Sequence, residues 1–382
     1  MRLRLREPLL YRWLRLKRAL DKRSRPAEEL GTPAIHRILA ISCTALGDTL
    51  LSTPGLRALR QTYPQAYITL LVHPSLQQLF TGLADVDELI PYDGKWRGFR
   101  RAASQLKGYD LAVILHGNEP QATPLAYLSG ARHIFKLPNN NCWNFLLSNH
   151  EPVFGWDDLG HGIGQRLAVA KLAGATGEFD RRMSVPAHAK GRAAVDKALA
   201  DRGWQEATIV AFQPGASTMS RRWPRSRFIA AAVEMLKARP DLRFVVTGSP
   251  AEAALCQEVA AGIEAAAPFA GGSRAWASAG QLPLIALPDL LRRASLLVTG
   301  DTGPMHLAVT VETPVVALFA VSDPARSGPG YDLDKHIIIR KWRTCDPCFS
   351  KNCPYAEPIC MDNIAVDEVV SAVNTILSRG QA

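Results

Sequence analysis

Short, almost wholly apolar runs alternate with helix-patterned stretches along this chain, and the alternation occurs twice. In the first half the runs are HRILAISC (residues 36–43), AYITLLVHP (66–74) and YDLAVILHG (109–117). In the second they are ATIVAFQPG (207–215), LRFVVTGSP (242–250), ASLLVTGD (294–301) and PVVALFAVSD (314–323). Runs that are apolar on both faces suit strands covered on both sides, and helical stretches between them supply the crossovers that parallel pairing requires. Two α/β units are expected, each built on a mostly parallel sheet.

Length agrees with two cores, because 382 residues exceed what one core usually serves. The 47% hydrophobic and 21% charged residues are those of a globular chain. The seam is expected near residues 186–207. The domain reading is then an N-terminal extension over 1–35, a first domain over 36–190 and a second over 207–363. A C-terminal helix over 364–382 is expected to pack back across the seam. No window has the apolar length of a bilayer-spanning helix, and the N-terminus lacks the apolar core and cleavage site of a secretory signal. A cytoplasmic location is the expectation. Seven cysteines, an odd number, suit a reducing compartment.

The net charge of +10 is unevenly spread. Residues 1–25 hold ten Arg and Lys against Glu7 and Asp21, a net of +8 that leaves only +2 for the rest of the chain. That distribution argues against a phosphate-tracking groove and against nucleic acid as a partner. Within the tail, Leu9 or Leu10, Trp13, Leu16 and Leu20 recur at helical spacing with Arg12, Arg15 and Lys22 on the other side. A basic amphipathic helix of this kind suits an anionic membrane surface. A solvated leader, or an extra helix packed on the first domain, is the plainer alternative.

Open parallel sheets bind ligands beyond the carboxyl ends of their strands. The unusual polar residues collect at those junctions. In GDTGPMHLAV (300–309) a strand gives way to Asp301, Thr302 and Gly303, with His306 about one helical turn inside. The run fits a clamp for a sugar or phosphate, and equally an N-cap Asp with a packed His. In QPGASTMSRRW (213–223) Pro-Gly is followed by hydroxyls including Ser217, then Arg221 and Arg222, the groups a diphosphate leaving group needs. The Gly-Lys-Ser ending of an ATPase loop is absent. Asp48, in ALGDTLLSTPGLRAL (45–59), is either a helix N-cap or a general base. Near the C-terminus Cys345, Cys348, Cys353 and Cys360 form a C-x2-C-x4-C-x6-C cluster within 345–360, read either as a structural zinc or iron–sulfur site or as thiols that shape a loop.

In order and spacing, ALGDTLLSTPGLRAL, QPGAS with RRWPRSRF, GSPAE, DTGPMHLA and FAVSDP resemble glycosyltransferase family 9, the ADP-heptose:lipopolysaccharide heptosyltransferases, from about residue 36 to the C-terminus. The resemblance implies a GT-B fold, α/β, with two Rossmann-like domains facing a central cleft. It implies an inverting, metal-independent transfer of heptose from ADP-heptose to a lipopolysaccharide core sugar. Asp48 would be the general base; Ser217 and Arg221 would hold the diphosphate, Glu252 the nucleoside region, and Asp301, Thr302, Gly303 and His306 the sugar and phosphates. No cofactor is then required, since the ADP-sugar is a substrate. The partners would be that donor, a lipid-linked oligosaccharide acceptor and an anionic membrane surface touched by residues 1–25, on the inner face of the inner membrane. Two departures stand out: Arg221 occupies a position where the family often has Lys, and Ala320–Val321 one where Gly-Pro is common. A different GT-B transferase, a nucleotide-sugar epimerase, or a non-catalytic nucleotide-sugar or glycan scaffold are the alternative readings.

Overall fold

The computed structural model describes residues 7–116, 119–137, 142–149, 160–269, 271–345, 348, 353–355 and 357–379. The chain divides into two compact units, Met1–Pro186 and Ala187–Ala382.

The first unit carries β1 (Arg37–Ser42), β2 (Tyr67–Val72), β3 (Glu88–Pro91), β4 (Leu111–His116) and β5 (His133–Lys136), with helices α1 (Glu7–Ala19), α2 (Leu46–Thr62), α3 (Gln77–Phe80), α4 (Trp96–Gln105), α5 (Ala122–Leu128) and α6 (Gly162–Leu172). Its sheet runs β3-β2-β1-β4-β5, and every pairing is parallel. Ile38, Leu39, Ala40 and Ile41 on the central β1 are fully buried, as a strand covered by helices on both faces requires.

The second unit carries β6 (Ile209–Gln213), β7 (Arg243–Val246), β8 (Ala275–Ala277), β9 (Leu296–Gly300), β10 (Val315–Phe319) and β11 (Ile337–Arg340). Its helices are α7 (Ala189–Ala200), α8 (Arg225–Ala238), α9 (Ala253–Ala266), α10 (Leu287–Arg293), α11 (Gly303–Thr310), α12 (Pro324–Ser327), α13 (Ile359–Asp362) and α14 (Val366–Arg379). The order β11-β10-β9-β6-β7-β8 is again wholly parallel. Counted within the unit, this repeats the arrangement of the first sheet with one strand added, the strand order of Rossmann-like sheets. Each sheet therefore has a point where the chain reverses its direction of winding, between β1 and β4 in one and between β6 and β9 in the other.

The four strands that the apolar runs did not announce, β3, β5, β8 and β11, are sheet edges of three or four residues. An edge strand has one neighbour and need not be apolar throughout; on β11 half-buried and exposed residues alternate.

The N-terminal basic segment does form a helix, and it is docked. Leu14 of α1 is fully buried in the first core beside Phe99, Ala102, Tyr127 and Trp143, with Leu10 and Tyr11 packed against it. The Trp96 indole N–H donates to the buried Glu7 at 3.0 Å. Asp21 is taken up by Arg23 at 2.7 Å and Arg25 at 2.6 Å, and hydrogen bonding from Arg23 holds its carboxyl well below the usual carboxylate range. Both acids of the segment thus have partners among the described residues. On the opposite face Leu9, Trp13, Leu16 and Leu20 remain 74%, 48%, 62% and 70% exposed, and Arg12, Arg15 and Lys17 are exposed around them. Arg2, Arg4 and Arg6 lie outside the described residues. Among the described residues no helix is long and apolar enough to cross a membrane.

At the other end, α14 buries Val369, Val373, Ile376 and Leu377 in the core of the second unit, packing on α8 and the sheet. The indole N–H of Trp223 donates to the carbonyl of Ile364 at 3.0 Å and ties the start of this segment to the same core.

Candidate functional site

Apart from Glu252 and the cysteines, the polar residues singled out from the sequence fall at the reversal point of each sheet. In the first unit, Asp48 lies in the first turn of α2, just after β1. It is not the N-cap: that position belongs to Ala45, which has no side chain able to cap. The Asp48 carboxylate is instead held from several sides. Thr44 Oγ1 donates to Oδ2 at 2.9 Å, Arg166 Nη2 donates to Oδ1 at 3.2 Å, and His116 Nε2 lies 3.5 Å from Oδ2. With 28% of its side chain exposed, Asp48 remains open to an approaching hydroxyl.

The surrounding groups were not picked out in the sequence. His116 ends β4, the strand across the reversal point, Glu119 follows it, Lys136 ends β5, and Arg166 reaches in from α6. Burial pushes the His116 ring down to about 4; Asp48 works against that shift and Arg166 and Lys136 reinforce it, so the ring is neutral at neutral pH. Burial likewise raises the Glu119 carboxyl and lowers the Lys136 ammonium. The position of His116 at a strand's carboxyl end was a usable signal. Arg166 gave none, because GIGQRLAVAKL reads only as a helix.

In the second unit the loops after β6 and β9 meet. Arg221 Nη1 lies 3.4 Å from Asp301 Oδ2, and Ser327 Oγ donates to the same oxygen at 3.3 Å. The carboxylate is 7% exposed. Asp301 does not cap α11 either; Thr302 does so positionally, with φ −140° and ψ 163°, and its hydroxyl pairs with Thr299 Oγ1 at 2.9 Å instead of closing the helix end. Gly303 and a proline open the helix, and His306 is buried within it. Gly300 serves a close approach: a Cβ there would stand 2.3 Å from the carbonyl oxygen of Arg221.

Glu252 sits one strand away. Its carboxylate accepts the N–H and hydroxyl of Ser249 in a capping box, at 2.9 and 2.8 Å. Gly215 presses on the same carboxylate, where a Cβ would meet Oε1 at 2.0 Å. Arg222, grouped with Arg221 in the sequence as a candidate diphosphate ligand, joins the two loops: it donates twice to the carbonyl of Ala216, at 3.0 and 2.8 Å, and lies 4.0 Å from Glu252. Ser217 is exposed at the tip of this loop.

Among the described residues no group of three or more His, Cys, Asp or Glu is arranged to hold a metal ion. Cys360 is buried in the second core, and burial raises its thiol. Cys348 and Cys353 are close enough to Cys360 to raise its thiol further.

Comparison with known proteins agrees with this architecture. The family model for glycosyltransferase family 9 (heptosyltransferase) matches residues 168–358, half of the chain. Lipopolysaccharide heptosyltransferase 3 of Escherichia coli K12 is 26% identical over 310 residues, covering 78% of this chain and 82% of its own. The crystal structure of a family 9 glycosyltransferase from Veillonella parvula superposes with a TM-score of 0.74 at 24% identity, covering 90% of this chain and 97% of that one. The E. coli ADP-heptose lipopolysaccharide heptosyltransferase II does so with 0.71 at 21% identity, covering 91% and 100%. The structural likenesses establish the fold, and the matched family model establishes membership: the chain belongs to glycosyltransferase family 9, the heptosyltransferase family.

Proposed function

We propose that this protein moves a heptose from ADP-heptose to a sugar of the lipopolysaccharide core, with inversion at the anomeric carbon. The donor and acceptor classes follow from relatives named as lipopolysaccharide heptosyltransferases. The observation that carries the catalytic reading is Asp48 itself: a partly exposed carboxylate, not used as a cap, held by neighbouring donors at the carboxyl end of β1.

In this reading the acceptor oxygen attacks the anomeric carbon while the bond from that carbon to the ADP oxygen breaks. Asp48 accepts the hydroxyl proton, and the departing ADP carries away the electron pair. Arg221, Ser217 and the N–H groups opening α11 take up the charge that grows on the diphosphate, so no resident metal is invoked. Arg221 stands 3.4 Å from Asp301. Asp301, Thr302, Gly303 and His306 are assigned to the sugar and phosphates, and Glu252 to the nucleoside region. Residues 1–25 are assigned to the anionic inner face of the inner membrane, where a lipid-linked acceptor would be met. The exposed row from Leu9 to Leu20 within its cationic border supports that assignment.

The test is ADP release from ADP-heptose with a heptose-free core acceptor, beside calorimetry with ADP, UDP, GDP and CDP. Asp48→Asn is expected to lower kcat by about 10²–10⁴-fold with donor affinity nearly unchanged. ADP is expected to bind selectively. Turnover at saturation that survives Asp48→Asn overturns the base assignment, and a preference for another nucleotide overturns the donor.

A further inference from the structure

Arg166 comes from a helix far along the chain and ends between two groups. It is 5% exposed overall, and a single nitrogen, Nη2, donates to Asp48 Oδ1 at 3.2 Å and lies 2.8 Å from His116 Nδ1. A guanidinium has only N–H bonds to offer and accepts none. The short contact therefore requires a lone pair on His116 Nδ1, which leaves the one proton of the neutral ring on Nε2. That nitrogen faces Asp48 Oδ2 at 3.5 Å, the oxygen to which Thr44 also donates.

An ionised carboxylate has about four lone-pair sites. Thr44 and Arg166 fill two by hydrogen bonds and His116 Nε2, at 3.5 Å, stands over a third, leaving one for a substrate hydroxyl. We propose that Arg166 and His116 are positioning residues for Asp48: Arg166 anchors one carboxylate oxygen and fixes the Nε2–H tautomer of His116, which steadies the other, so the remaining lone pair keeps one direction. The proposal rests on Asp48 being the base. Its physical content is that the pair restricts where the carboxylate points, and proton abstraction is sensitive to misplacement of the base by about 1 Å.

The decisive measurement needs no substrate. In protein labelled with ¹⁵N-histidine, the His116 ring, assigned by its loss in His116→Gln, is expected to show the neutral Nε2–H tautomer at pH 7 and a mixture of tautomers in Arg166→Met. An Nδ1–H tautomer in the parent protein, or the same tautomer ratio in Arg166→Met, overturns the proposal. Kinetics give a second arm that survives if the buried Arg166 variant fails to fold. His116→Leu is expected to lower kcat for ADP release about 10- to 100-fold while the KM for ADP-heptose stays within about twofold. His116→Gln, whose amide N–H replaces Nε2–H, is expected to recover most of the loss. Equal defects in the two variants, or a defect confined to KM, count against it. Failure of the base assignment shows separately, as turnover retained by Asp48→Asn, and the tautomer experiment is independent of that result.

Discussion

A methyl group added at Gly300 has nowhere to go, because the carbonyl of Arg221 already occupies its place. Gly300→Ala is expected to push the Arg221 loop away from Asp301, to raise the KM for ADP-heptose about tenfold or more, and to cost about 1–3 kcal/mol of stability through overpacking. Kinetics and a denaturant melt read the two effects separately; an unchanged KM would dissociate the loop contact from donor binding. At this scale much of the candidate site was legible in the sequence. Asp48, Arg221 and Asp301 stood out as charged residues where apolar strands stop. What was not legible is which neighbours hold them. Arg166 is 118 residues from Asp48 and His116 is 50 from Arg166, and a sequence pattern carries no information about side chains that meet only when separate helices and strands are assembled.

Among elements, the central strands were readable because burial on both faces forces continuous apolar runs, whereas β3, β5, β8 and β11 are short edges without that constraint. Edge pairing nonetheless brings its own sensitivity. The N–H of Val315, opening β10, donates to Nδ1 of His336, just before β11, and burial pushes that imidazole down to about 4. Between about 4 and the unfolded value near 6.5 the unfolded chain binds more protons than the folded one, so stability falls as pH is lowered through that window. The contribution of His336 is expected to reach about 3 kcal/mol over the whole interval. His336→Asn, which keeps an acceptor near Nδ1 but does not titrate, is expected to flatten the acid-side loss of stability relative to the parent. Identical pH dependence in the two proteins would assign the acid sensitivity to other groups, His116 among them.

For the molecule as a whole, each unit owns a core, and the positive charge gathers on α1 and the segment around it. The assignment to an anionic surface predicts that protein lacking residues 1–30 sediments far less with phosphatidylglycerol-containing vesicles than the full chain, and that Trp13→Glu does so with the fold intact. Sedimentation unchanged in both variants rules the assignment out. The tail's helical pattern was visible in the sequence, but the division of labour on that helix was not: Leu14, Leu10 and Tyr11 turn inward while Leu9, Trp13, Leu16 and Leu20 turn out. Because Leu14 is fixed in the first core, the helix is already wound before it meets any surface, and the backbone has little entropy left to lose on contact. It would act as a keel rather than a tether. On the proposed lipid surface such a keel would set one angle between the first unit and the plane of the lipids, and would reduce the hunt for a lipid-borne acceptor from three dimensions to two.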